Sequence, residues 1–238
     1  MPMITTATSA DAGRAGARVA VLPVGSFEQH GAHLPLTTDT LIAQAIAEAV
    51  ADAYGLFLLP PITFSCSHEH ASSPGTVSIS SITLTSVIRD VATSLRRSGI
   101  PVLVLVNGHG GNYVLSNIVQ EANVDGPAMA LFPGRADWAA ARAAAALETD
   151  AHDDMHAGEL ETSVLLHVHP DLVQPGWETA DDGGGPRPHL LVHGMKAYTR
   201  NGVIGRPSLA TAEKGKRLLD SLASLMSDHL DALGLPGR

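Results

Sequence analysis

The sequence contains few of the residues on which several classes of protein depend. Cys66 is the only cysteine among 238 residues, so the chain can form neither an internal disulfide bond nor a cysteine-based zinc motif. Basic residues are few and scattered, and the formal net charge of −9 offers no surface for a nucleic acid or an anionic membrane. No apolar run approaches the roughly 20 residues of a membrane span, and the residues before Arg18 lack the pattern of a secretory signal. We therefore expect a soluble, cytoplasmic protein whose partners include neither nucleic acid nor membrane.

The composition is that of a globular protein with a buried core. Hydrophobic residues make up 45% of the chain and charged residues 16%, which excludes a disordered or fibrous protein. The length suits one sizeable α/β domain and is short for two. We predict a single domain over residues 18–238, preceded by a flexible N-terminal segment at residues 1–17.

Apolar runs alternate with helical periods along the chain. Strands are predicted at residues 18–25, 57–62, 101–107 and 128–132, where the runs are continuous and short. One helix is predicted to end at Gly55, and a second covers residues 84–95 and ends at Gly99. Two more are predicted over residues 138–148 and 211–233. This alternation is typical of an α/β fold with a mostly parallel sheet covered by helices on both sides, in which sites form at the carboxyl ends of the strands.

The first candidate site follows the first strand, in the motif SFEQHGAHLPLTTD. Glu28 and His30 are two residues apart, so in extended backbone their side chains point the same way. Asp39 precedes a helix that we expect to begin near Thr40, and the turn can bring its carboxylate back to the strand end. Carboxylate and imidazole together suit Zn or Mn. Two structural alternatives stay open, in which Asp39 only caps the helix and His30 is a surface loop residue.

A second motif, NGHGGN, follows the third strand and places His109 among glycines. Those glycines allow the backbone to approach an ion or a substrate closely. A phosphate-binding loop is the competing interpretation, but no Lys-Ser or Lys-Thr pair follows.

Two further motifs contain histidine and glutamate. In DDMHAGELETS, His156, Glu159 and Glu161 lie where a helix begins, and the two glutamates point about 200° apart, so at most one of them can contact a metal directly. Either glutamate can instead face the helix dipole. In CSHEHASSPGT, His70 is a better candidate for lining a site than His68. Residues 174–201 are rich in Gly, Pro and Asp and are predicted to form a mobile excursion that influences specificity.

Together these motifs resemble the creatininase (creatinine amidohydrolase) family. The resemblance rests on GSFEQHGAHLPLTTDT, SHEH followed by PGT, NGHGGN, HAGELETS and GVIGRPSLATAEKG, which occur in order from about Val19 to Leu219. It implies a three-layer α/β/α sandwich and two divalent metal ions per chain, Zn and/or Mn with Fe also possible. It further implies a homohexamer.

The resemblance also implies roles for individual residues. Glu28 and His109 would hold one ion, His30 the other, and Asp39 would bridge them. Creatininase itself supplies a further ligand two residues after the histidine that matches His109, where this chain has Gly111. We therefore expect Glu159 to replace that ligand.

Three more residues are expected to serve catalysis around the metal ligands. Glu161 is expected to support them without binding metal, His156 to act as the acid and base, and His70 to line the site.

The predicted function is hydrolysis of a C–N amide bond by water activated between the two ions. The expected substrate is a small molecule, such as a cyclic amide or a formamide, rather than a peptide. One alternative is a metallopeptidase of the kind that trims the mycofactocin precursor peptide. Another, from a different class, is a metal- or ligand-binding module of the same fold without turnover.

Overall fold

The computed structural model describes residues 7–235 of the chain. Within them, four parallel strands form one sheet in the order β2-β1-β3-β4. The strands are β1 Val19–Val24, β2 Phe57–Leu58, β3 Val102–Asn107 and β4 Met129–Phe132. The α-helices are α1 Ser9–Ala15, α2 Thr38–Tyr54, α3 Ser81–Arg97, α4 Val114–Ala122, α5 Arg135–Ala144, α6 Glu159–Val168, α7 Leu190–His193 and α8 Ala212–Ala232. Short 3-10 turns occur at His68–His70, Pro170–Leu172, Trp177–Thr179, Met195–Ala197 and Pro207–Leu209.

Helices cover both faces of the sheet. Successive residues of its central strands point to opposite faces, so each strand contributes to two cores. In β1, Val19 and Val21 belong to a core formed with α2, α5, α6 and α8. The neighbouring residues Ala20 and Leu22 belong to a second core formed with α3 and α4. All six residues of β1 are buried. The predicted three-layer α/β/α fold is confirmed.

Two predicted elements differ from those observed. The strand expected over residues 57–62 pairs with β1 only at Phe57 and Leu58, and Ile62 returns as a single bridge to Val24. The helix expected over residues 138–148 begins earlier, because the Asp137 carboxylate accepts a hydrogen bond from Gly134 N at 2.7 Å and caps its first turn. Helix α4, which buries Leu115 and Ile118, was not predicted.

The N-terminal segment and the excursion at residues 174–201 both contain local structure. Helix α1 lies in the segment expected to be flexible and none of its residues is buried, while residues 1–6 of that segment lie outside the described part of the chain. The excursion includes α7 and is tied to the domain by a pair of backbone hydrogen bonds between Asp182 and Gly205. In the described part of the chain, no helix has the length and apolar character needed to cross a membrane.

Candidate metal centre

The loop after β1 passes tightly over the start of α2. A Cβ atom at Gly25 would lie 2.3 Å from Thr40 Cα, so this position has no room for a side chain. Glu28 N donates a hydrogen bond to Leu36 O at 3.0 Å and closes the loop onto itself. Asp39 lies inside the first turn of α2 rather than before it, with its carboxylate directed back toward this loop. The loop and the helix therefore bring Glu28, His30 and Asp39 together, as the sequence predicted.

The NGHGGN loop adds His109 from the end of β3. Its backbone comes close to α2, because a Cβ at Gly108 would lie 2.3 Å from Asp39 O. Two asparagines fix the loop: Asn107 Nδ2 donates to His109 O at 2.8 Å, and Asn112 Nδ2 donates to Gly25 O at 3.2 Å. The glycine and asparagine content of the motif thus serves to place one imidazole.

Asp39 lies between two histidines. Its Oδ1 is 3.0 Å from His30 Nε2, and its Oδ2 is 2.9 Å from His109 Nδ1. On the far side of His109, Nε2 is 3.3 Å from Glu28 Oε2. All four of these residues are buried, with at most 5% of their surface exposed. The geometry suits a carboxylate that bridges two ions.

Of the two glutamates in the first turn of α6, Glu161 faces the cluster and Glu159 does not. Glu161 Oε2 lies 3.8 Å from His30 Nε2. Glu159 points away and accepts hydrogen bonds from Thr149 Oγ1 at 2.7 Å and Lys214 Nζ at 2.6 Å. The expected ligand role of Glu159 is therefore corrected. The reason is the helical rotation between residues two apart, which turns Glu159 toward α8 when Glu161 faces the sheet edge.

The charges of the cluster favour a bound cation. Burial, with Asp39 adding to it, raises the pKa of Glu28 to about 8. Burial also raises the pKa of Glu161 to about 7, although the nearby His30 opposes this. Burial alone would lower the pKa of His30, but the carboxylate of Asp39 outweighs it and raises that pKa to about 10. The raised pKa values of Glu28 and Glu161 show that the cluster does not fully compensate their charges, and a divalent ion would favour the ionised form of both.

The hydrogen bonding of two carboxylate oxygens indicates whether the residues of the cluster fit a metal ion. Glu28 Oε1 and Asp39 Oδ2 are buried and accept a hydrogen bond from none of the described residues. Each oxygen has an imidazole nitrogen nearby, at 3.2 Å for His70 and 2.9 Å for His109, which gives it an ion-pair contact without a well-aligned hydrogen bond. A buried oxygen without a partner costs roughly 1–3 kcal/mol, more when charged. Cations at these positions would satisfy both oxygens, so the residues fit a metal centre.

Two more histidines complete the cluster. The His156 ring lies between those of His30 and His70, with centroid distances of 4.2 and 4.5 Å. His156 Nδ1 is 3.8 Å and His70 Nε2 is 3.2 Å from Glu28 Oε1. The structure thus brings together His156, Glu161 and His70, the three residues expected to serve catalysis, and leaves His68 exposed.

Sequence reasoning missed two residues of the site, Glu69 and Gln29. Glu69 Oε1 lies 3.3 Å from His109 Nε2 and fills the space beside Gly111, where a Cβ would be only 2.0 Å away. Gln29 hydrogen-bonds to both His70 and His156. The absence of a side chain at Gly111 was the available signal for Glu69, but nothing in the sequence indicates which loop fills that space.

Two cavities meet the cluster at different residues. One, of about 540 Å³, is lined by Glu69 and Gly111 and by Tyr113, Leu191 and Val192, three large apolar residues that are exposed. The other, of about 670 Å³, is lined by His109, Glu161 and Trp138 among others. The two cavities therefore border the cluster at different residues.

Comparisons with known proteins identify relatives of the chain. A family model described as creatinine amidohydrolase matches residues 4–230. A mycofactocin precursor peptide peptidase from Mycolicibacterium smegmatis is 35% identical over 221 residues, which cover 88% of this chain and 83% of that protein. A creatinine amidohydrolase from Pseudomonas putida is 31% identical over 182 residues, covering 67% of each. Among solved structures, a mutant creatininase of Zn-Zn type is similar with a TM-score of 0.79 and 26% identity over 97% of both chains.

Proposed function

The chain belongs to the creatininase family of hydrolases, and we propose that it is a metal-dependent enzyme that cleaves a C–N amide bond. The observation that carries this proposal is the buried cluster in which Asp39 lies between His30 and His109 while two carboxylate oxygens accept no hydrogen bond from a described residue. A cluster built only for stability would satisfy those oxygens with protein donors.

We assign the ligands of two divalent ions, Zn or Mn, to groups that share Asp39. Glu28, Asp39 and His109 form one group, and His30, Asp39 and Glu161 form the other. Within each group the possible ligand atoms lie within 4.8 Å of one another. The similarity to a creatininase of Zn-Zn type supports zinc. Glu161 takes the role first expected of Glu159.

Two divalent ions would lower the pKa of water and polarise the amide carbonyl. The protein's own task is then to move protons and to hold the substrate. Burial, reinforced by the charge of His30, holds the pKa of His156 well below its usual value. A neutral imidazole has one nitrogen that can accept a proton, and this is the role we assign to His156. It can then pass that proton to the leaving nitrogen. The backbone N–H groups of Gly110 and Gly111 donate to no described residue and are available to the substrate's carbonyl oxygen.

A peptide bond is the amide that the observations favour as substrate. Cavities meet the cluster at two different sets of residues, which suits a chain that continues on both sides of the scissile bond. The relative from Mycolicibacterium smegmatis, named as a peptidase, supports the same choice. A small-molecule amide, as first expected, is the second candidate and is favoured by the similarity to creatinine amidohydrolase.

An activity screen tests the proposal. Protein loaded with Zn or Mn is incubated with end-blocked short peptides, creatinine, N-formyl aminopyrimidines and cyclic ureides, and new amines are quantified. We expect hydrolysis of at least one amide class that disappears in Glu28→Gln and persists in Asp90→Asn, an exposed control on α3. Hydrolysis that survives complete removal of metal would refute the proposal. So would a wild-type protein that binds no divalent ion.

A further inference from the structure

We propose that Gln29 is a positioning residue that fixes opposite tautomers in His70 and His156. In this arrangement His70 presents a proton donor to the cluster and His156 presents a proton acceptor. The catalytic consequence rests on the proposed hydrolase function, whereas the hydrogen bonds that define the tautomers do not depend on it.

The orientation of the Gln29 amide is set by two backbone groups. Gly31 N donates to Gln29 Oε1 at 3.0 Å, and Gln29 Nε2 donates to Gly202 O at 3.1 Å. A backbone N–H can only donate and a carbonyl can only accept, so the oxygen and nitrogen of this amide cannot be exchanged. A Cβ at Gly202 would lie 2.0 Å from Gln29 Oε1, so a side chain there would displace this amide.

The second amide hydrogen of Gln29 determines the tautomer of His70. Gln29 Nε2 lies 3.1 Å from His70 Nδ1, which must therefore accept. The ring proton of neutral His70 is then on Nε2, the nitrogen that lies 3.2 Å from Glu28 Oε1. His70 consequently turns an N–H toward the cluster.

The backbone of the same residue determines the tautomer of His156. His156 Nε2 lies 2.6 Å from Gln29 O, and because a carbonyl only accepts, Nε2 must carry the proton. Gln29 Nε2 is also 3.0 Å from His156 Nε2, but both amide hydrogens are already directed to Gly202 and His70. The lone pair of His156 is therefore on Nδ1, the nitrogen nearer to Glu28 Oε1.

Opposite tautomers divide the work of amide hydrolysis. His156 Nδ1 takes a proton from the attacking water and gives it to the leaving nitrogen, so the proton count balances and the imidazole is regenerated. His70 Nε2–H donates a hydrogen bond to the oxygen that gains charge when the carbonyl is attacked, and it keeps its proton throughout. Gln29 thereby fixes the tautomer that makes His156 the proton acceptor and the tautomer that makes His70 the hydrogen-bond donor.

Gln29→Glu tests the inference because a carboxylate has no N–H to donate. The substituted side chain would accept a hydrogen bond from His70 Nδ1, so the His70 ring proton should move from Nε2 to Nδ1. His156 should remain protonated on Nε2, because its partner is a backbone carbonyl that the substitution leaves in place. Ring-¹⁵N-labelled histidine in the zinc-loaded protein reports both tautomers by NMR, with signals assigned from His70→Ala and His156→Ala. Gln120→Glu, on the exposed side of α4, is the matched control and should change neither tautomer.

A second variant, Gln29→Met, guards against poor folding of Gln29→Glu. It removes the amide without adding charge, and His70 should then populate both tautomers. The inference is wrong if wild-type His70 carries its proton on Nδ1, if wild-type His156 carries its proton on Nδ1, or if His70 keeps its Nε2 proton in folded Gln29→Glu.

Kinetics separate this inference from the proposed function. With metal content unchanged, kcat of Gln29→Glu should fall by about 100-fold, the lower end of a general acid–base contribution, with little change in KM. If the tautomers are as stated but no amide is cleaved by the wild type, the hydrolase proposal fails and the tautomer assignment stands. If the wild type cleaves an amide and Gln29→Glu retains full kcat, the catalytic part of this inference is overturned.

Discussion

Two regions of this protein bury carboxylates, and they treat them in opposite ways. At the junction of α6 and α8, Glu159 is fully buried and receives hydrogen bonds from Thr149 and from the Lys214 ammonium group. At the end of β1 and β3, Glu28 and Asp39 are equally buried, yet each has an oxygen without a hydrogen-bond partner among the described residues. Burial therefore does not distinguish a structural acid from a functional one. The two kinds of acid differ instead in how many protein groups donate hydrogen bonds to the carboxylate.

The electrostatics of the two regions diverge accordingly. Burial would raise the pKa of Glu159, but the hydrogen bonds from Lys214 and Thr149 outweigh it and hold that pKa below its usual value. Burial and the charge of Asp39 instead raise the pKa of Glu28 to about 8. The carboxylate of the first region is neutralised by the protein itself, and the incomplete compensation in the second region is the basis of the proposed metal centre.

The largest expected effect is at the residue shared by both ion positions. Asp39→Ala should lower the metal content from about two ions per chain to nearly none, because a bridging carboxylate organises the pair. Metal analysis of protein purified without chelator measures this, with Asp90→Asn as an exposed control. A variant that keeps one tightly bound ion would show that the two positions do not depend on Asp39 together.

The next effect concerns rate rather than metal. His156→Ala should keep its metal and lose about 100- to 10,000-fold in turnover, because the substitution removes a proton acceptor that is not a ligand in the proposed set. An amide with a good leaving group should be affected less, since its nitrogen needs less protonation. Loss of metal in this variant would instead make His156 a ligand, which its position near Glu28 and His30 also permits.

A matched pair of glutamates tests the contrast between the two regions directly. Glu161→Gln should weaken metal binding by at least about 10-fold while leaving the metal-free protein as stable as before. Glu159→Gln should keep the metal and lower the free energy of unfolding by about 1–3 kcal/mol, because the buried donors lose a charged acceptor. Isothermal titration with zinc and urea denaturation measure the two quantities. The opposite pattern would return the ligand role to Glu159.

Substitutions at two glycines test whether Glu69 supports His109. Gly111→Ala should displace the Glu69 carboxylate from His109 and weaken metal binding by about 10-fold, because its Cβ would fall 2.0 Å from Glu69 Oε1. Gly110→Ala is the control, since a Cβ at that position meets no described atom within 4 Å. Equal zinc affinities in the two variants would mean that Glu69 does not support His109.

The smallest expected effect is a pH dependence of stability. The pKa of Glu159 is lowered from 4.5 in the folded protein, so its contribution to stability is fully present above pH 4.5 and is lost as the pH falls through the folded value. The difference in unfolding free energy between wild type and Glu159→Gln should therefore narrow between pH 7 and pH 3. Urea denaturation of metal-free protein across this range measures it. A difference independent of pH would show that Lys214 does not act through the charge of Glu159.

Much of the fold followed from local patterns. The continuous apolar runs of β1 and β3 predicted both central strands, because strands covered on two faces have no polar side. Spacing predicted α3 and most of the face that it buries, since Leu84, Ile88 and Leu95 are buried, although Val87 is 38% exposed. The early start of α5 depended on the capping contact between Asp137 and Gly134, which local periodicity does not contain.

The sequence by itself determined most of the side chains that are candidates for the proposed metal centre. Glu28, His30, Asp39 and His109 follow strands whose carboxyl ends must meet at one edge of a parallel sheet, and the spacing of Glu28 and His30 already placed them on one side. Only the tertiary structure separates Glu159 from Glu161, because it turns Glu161 toward His30 and Glu159 toward Lys214. Both begin the same helix, and the choice depended on how α6 is rotated against α8, where Lys214 faces one of them. That rotation is set by packing between helices distant in sequence, so no local pattern could contain it.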